Sequence, residues 1–213
     1  MTLAEAFLRD QIPRSERPIV PTTLKTAYSA AALTIASDPI LQVESARANA
    51  GRIIQYAVDL GFQKLVESGK WGNGYRWPTF ERPTGRYLEI LFSHSVLTIS
   101  QVANPKIQPR DVGFRQNKRL ASQITLKGII PDEEDNSGLP HILLLHGHQS
   151  LDFAYLAIPD PHHLFGFQYR TENLMLMAHA IPDEDVAVEN TDIEAVLTLK
   201  EEIDKWRHDN NDR

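Results

Sequence analysis

The chain has no cysteine among its 213 residues. That excludes disulfides, thiolate zinc sites, cysteine-ligated iron–sulfur clusters and a cysteine nucleophile, and it suits a reducing compartment. No apolar run approaches the length that spans a bilayer. The first residues, MTLAEAFLRDQIPRSERP, place Glu5, Arg9 and Asp10 inside the apolar pattern, which no secretory signal tolerates. The expectation is a cytoplasmic, bacterial protein with no membrane contact. Also missing are a P-loop, G-x-G-x-x-G, H-E-x-x-H and the G-x-S-x-G nucleophile elbow. His146-Gly147 after an apolar strand is similar to the oxyanion-hole strand of α/β-hydrolases. Without an elbow, and with only 63 residues after Ser150, the rest of such an enzyme has no place here.

What is present is a globular composition, 42% hydrophobic and 23% charged, with an uneven charge. The net charge is -6, yet residues 1–130 hold 17 of the 22 basic side chains and 10 of the 28 acidic ones. Such a split suits a polyanion-binding half beside an acidic half, or a bipolar surface that sets solubility.

Periodicity divides the chain in two. Helices are expected over 2–12, over about 22–37 with Thr22 or Thr23 as cap, and over about 41–68 with a weak point at Gly61. From Trp71 the texture turns to Gly, Pro and aromatics, and from Arg86 the apolar period becomes two. A hairpin is expected across Ser93-His94-Ser95, a further strand over 124–130, an acidic loop over 131–138, and strands over 139–145 and 151–158. A last helix is expected over 192–208. Helices followed by strands argue α+β, with N-terminal helices, a mostly antiparallel sheet and a C-terminal helix. Residues 1–70 would be the helical part and 71–208 the β-rich part of one continuous domain.

Three segments carry candidate chemistry. Five of the eight histidines fall within 141–163. His146 and His148 would share a face of a strand and, with Asp152, offer an N/O set for a divalent metal, as in a metal-dependent hydrolase or nuclease. Alternatively Gly147 supplies a positive φ in a hairpin and the histidines are structural; this reading is preferred, so no cofactor is called for. The second segment, 103–128, carries six basic residues against Asp111. Arg110, Arg115, Lys118 and Arg119 suit phosphate contact in nucleic acid. Trp71, Tyr75, Trp77 and Phe80, with Arg76, Arg82 and Arg86, add a stacking surface for single strands, or else form core and rim. The third is QITL, whose Gln123 and Leu126 resemble the short peptide that bacterial proteins dock into the sliding clamp, although Lys127 stands where that motif has an aromatic. The first expectation is a non-enzymatic interaction or regulatory protein with a protein partner, of the toxin–antitoxin or replication-control kind. Nucleic-acid binding and the metal-dependent enzyme are the alternatives. The oligomeric state is not legible.

Overall fold

The computed structural model describes residues 1–80, 85–109, 139–160 and 166–177. The fold is α+β. Helices α1 (Leu3–Gln11), α2 (Ile19–Ser37), α3 (Glu44–Arg47) and α4 (Ala50–Glu67) precede strands β1 (Gly74–Arg76), β2 (Thr79–Phe80), β3 (Gly85–Arg86), β4 (Glu89–Leu91), β5 (Val96–Val102), β6 (His141–Gly147), β7 (Ala154–Pro159) and β8 (Phe167–Arg170). Six strands form one sheet in the order β1-β4-β5-β6-β7-β8, and β2 pairs β3 apart from it. Every pairing is antiparallel except β5 with β6, which run parallel in the register Gln101↔His146. No helix among the described residues is long and apolar enough to cross a membrane.

Helix boundaries follow local chemistry. Thr2 Oγ1 accepts the Glu5 amide and caps α1. The buried face of α1 is Ala4, Leu8 and Gln11, continued by Ile12 at its end, and Leu3 is exposed. α2 starts at Ile19, three residues before the expected cap. Pro18 and Pro21 occupy the end of the helix where amide hydrogens have no intrahelical acceptor, so no side-chain cap is needed. Thr22 and Thr23 instead return their hydroxyls to the carbonyls of Pro18 and Ile19. The expected single helix over 41–68 is broken into a 3-10 turn (Pro39–Gln42), α3 and α4. Gly61 does not interrupt α4. It lets α4 approach α2, since a Cβ there would lie 3.3 Å from Thr23 Cγ2.

α1, α2 and α4 pack on one face of the sheet. Ile142 and Leu144 of β6, Leu97 and Ile99 of β5 and Ile90 of β4 meet Leu24, Ala27, Val58 and Phe62 there. Leu143, Leu145 and Ala157 point the other way, with Phe153, Tyr155 and Phe167 beside them. β6 is buried along its whole length, as its unbroken ILLL run leads one to expect. The buried Gln11 ties α1 to the β4–β5 turn, its Oε1 accepting from the His94 amide and from the Ser93 and Ser95 hydroxyls. The expected strand 124–130, acidic loop 131–138 and C-terminal helix 192–208 lie outside the described residues.

Candidate functional site

Two places in the fold gather polar and aromatic side chains. The first is the turn after β6. His146, the last side chain of that strand before Gly147, is fully buried and faces α2. Its Nδ1 lies 2.8 Å from Tyr28 Oη, and that phenol donates to the Gly147 carbonyl oxygen at 2.5 Å. A phenol has one proton, and a carbonyl has none to share. Tyr28 therefore gives its proton to Gly147, His146 Nδ1 donates to Tyr28 Oη, and Nε2 is the bare nitrogen. Nε2 is buried without a hydrogen-bond partner. Burial pushes the imidazole down to about 4, helped by nearby His148 and opposed by the Gly147 hydrogen bond. It is neutral and weakly basic, which does not suit a general base at neutral pH. Burial, with Asp152 nearby, raises the Tyr28 phenol above its ordinary value.

The turn itself corrects the expectation for Gly147. The positive φ belongs to Gln149, at 64°. Gly147 is required for close approach, because a Cβ there would sit 2.0 Å from the Ser150 carbonyl oxygen. The strand ends at Gly147, so the alternation that would align His146 with His148 stops there. His146 is inside, whereas His148 and Asp152 are exposed, and Asp152 accepts from Ser150 Oγ at 2.5 Å. Among the described residues no three His, Asp or Glu side chains form a group that could hold a metal ion. Asn173 staples the loop, with Oδ1 accepting from Ala154 N and Nδ2 donating to Asp152 O. Gln101, beside His146 on β5, donates from Nε2 to Gly51 O at 2.7 Å. Gly51 is tight as well, since an added Cβ would meet His148 Cε1 at 3.1 Å. These contacts bind the start of α4, the end of β5 and the turn into one unit.

The second place is a cleft of about 510 Å³ between α4 and the strands β1 and β3. α4 contributes Tyr56, Asp59, Leu60 and Gln63, all on one helical face. Tyr75, Trp77 and Arg86 complete it. Its aromatics are held from α4: Tyr75 Oη donates to Glu67 Oε1 at 2.6 Å, and Trp77 Nε1 to Gln63 Oε1 at 3.3 Å. Tyr56 and Trp77 are exposed. Gln55 Nε2 donates to Asp59 Oδ1 at 2.7 Å, yet desolvation dominates and raises that carboxyl to about 7.

The stacking surface expected from sequence thus divides. Tyr75, Trp77 and Arg86 line the cleft. Trp71 belongs to the core, 5.4 Å from the Phe62 ring and 5.3 Å from that of Phe92. Arg76 pairs with the fully buried Glu89 at 2.5 Å. Sequence reasoning missed Tyr56, Asp59 and Gln63; their signal was a polar and aromatic stripe on α4 opposite Ala57 and Val58. Arg82, Arg110, Arg115, Lys118, Arg119, Gln123 and Leu126 lie outside the described residues, as does the Phe80 side chain. Comparison with protein-family models, with curated proteins and with solved structures finds no match.

Proposed function

We propose that this protein is a binding protein whose macromolecular partner is single-stranded nucleic acid, with one base held in the α4–β1 cleft. The observation that carries the reading is the lining of that cleft: three aromatic rings, one arginine and a carboxyl raised to about 7. Every base has a flat π face, so Tyr56, Tyr75 and Trp77 suit stacking without sequence preference. Arg86 supplies charge for a phosphate. Asp59 offers its second carboxyl oxygen to the base rim, while Gln63 bridges Trp77 and Glu67 and holds the wall of the cleft. The basic excess of residues 1–130 sits in a chain of net charge -6, so it supports attraction of a strand to that part of the molecule and not a long-range pull of the whole.

The test is fluorescence titration of the full chain with short single-stranded oligothymidine, with duplex of equal length as control. Single strand should bind and duplex bind less, with affinity falling steeply as salt rises. Trp77→Ala should weaken binding about 5- to 150-fold, the range for losing one base–aromatic stack. Equal affinity of Trp77→Ala and the parent would sink the cleft reading. Absence of any oligonucleotide binding, with a nuclease-resistant protein captured from lysate, would return the weight to a protein partner.

A further inference from the structure

The bend that leads into β1 contains Asn73-Gly74, the one Asn-Gly dipeptide in the sequence. Asn73 is exposed, and its carboxamide has no hydrogen-bond partner among the described residues. Its backbone amide donates to the Leu91 carbonyl at 2.7 Å. Gly72 and Gly74, on either side, have φ of 69° and 157°, which residues with side chains rarely adopt. An added Cβ at Gly74 would meet nothing within 4 Å. A free carboxamide thus precedes a residue that has open space around it and no side chain to shield its nitrogen.

Asparagine in this setting is chemically labile. The Gly74 nitrogen, after losing its proton to solvent, attacks Asn73 Cγ. The Cγ–N bond that forms closes a succinimide ring, and the Cγ–Nδ2 bond breaks with ammonia leaving. Water then opens the ring at either carbonyl. One opening gives aspartate. The other gives isoaspartate, whose main chain runs through the former side-chain methylene. Water is taken up, ammonia is released, and nothing is oxidised.

The carboxylate of either product joins Asp10 and Glu16, with Lys70, in the lining of one surface hollow. Isoaspartate also lengthens the backbone immediately before β1. That strand is three residues long, held to β4 by Gly74↔Leu91, Tyr75↔Ile90 and Arg76↔Glu89. So short a strand has little hold on its own register. Its last pair carries the 2.5 Å contact between Arg76 and the fully buried Glu89, and separating a buried carboxylate from its cation is strongly destabilising.

We propose that Asn73 deamidates spontaneously in the folded chain and that isoaspartate there loosens β1 from β4. The proposal is independent of the strand-binding reading, since its readouts use no nucleic acid. The full chain is aged in warm, mildly alkaline buffer and digested with trypsin, and the fragment WGNGYR is followed by mass and chromatography. The acid forms should accumulate in that fragment before any other asparagine reacts. The urea midpoint of the aged chain should fall as isoaspartate builds up. Asn73→Gln should stop both changes, because its longer side chain closes the ring poorly. Freshly made Asn73→Asp, which has the charge without the longer backbone, should lose less in urea midpoint than the isoaspartate form. An intact Asn73 after other asparagines have reacted would overturn the site. Conversion with an unchanged urea midpoint, or an equal fall in fresh Asn73→Asp, would overturn the loosening of β1.

Discussion

Tyr28 Oη and His146 Nδ1 stand 2.8 Å apart although 118 positions separate them in the chain. The pair joins α2 to the end of the central strand, and the same phenol closes the Gly147 carbonyl. Tyr28→Phe leaves a buried N–H and a carbonyl without partners. Loss of about 1–3 kcal/mol in unfolding free energy is expected, read from urea denaturation. A change below about 0.5 kcal/mol would mean that the phenol contributes nothing net.

The buried imidazole sets one limb of the pH dependence. The folded-state pKa of His146 lies at about 4, below its ordinary 6.5. As pH falls through 6.5 the unfolded chain takes up this proton first and the native chain does not. Stability therefore falls between about pH 6.5 and 4, by roughly 3 kcal/mol from this residue. His146→Asn keeps a donor near Nδ1 and removes the titration. The difference in urea midpoint between parent and variant should drift across that window, and a constant difference would refute the assignment.

Asp59 acts with the opposite sign. Its carboxyl is raised from 3.8 to about 7 by burial, so the native chain holds a proton that the unfolded chain has already lost. Its contribution to stability is present near pH 4 and is lost as pH rises through 7. Asp59→Asn retains an oxygen for Gln55 and cannot ionise. It should be more stable than the parent at pH 8, with the gain shrinking toward pH 4. An equal effect at both pH values would show that desolvation of the carboxylate is not the cause.

Much of the fold is legible because it follows from patterns local to a segment. The run Ile142–Leu145 reads as a buried strand and Ser93-His94-Ser95 as a turn. The misread boundaries share a cause: Pro18 and Pro21 start α2 without a hydroxyl cap, and the 41–68 periodicity continues across backbone that breaks near Val43 and Asn49. The parallel pairing of β5 with β6 is a long-range choice that no local pattern encodes. The cleft escaped for the same reason. Tyr75, Trp77 and Arg86 announce themselves in sequence, but Tyr56, Asp59 and Gln63 join them only when α4 packs beside β1. The histidine segment misled in detail: its glycine serves close approach, and the burial of His146 depends on Tyr28 from a distant helix.

The turn after β6 gives a paired prediction, because its two unusual positions are unusual for different reasons. Gly147 does not adopt a positive φ but has no room, with the obstacle a backbone oxygen 2.0 Å from where Cβ would be. Gln149 has room but an unfavourable φ of 64°. Gly147→Ala must shift the loop backbone and loosen the Tyr28 contact, so a loss of about 1–3 kcal/mol is expected. Gln149→Gly removes the left-handed penalty of roughly 1 kcal/mol, partly offset by the greater freedom of glycine when unfolded. A neutral to slightly stabilising result is therefore expected at 149 against a clear loss at 147, both from urea midpoints. The reverse order would mean that the loop makes room for a Cβ at 147 and that the left-handed φ of Gln149 carries no net penalty.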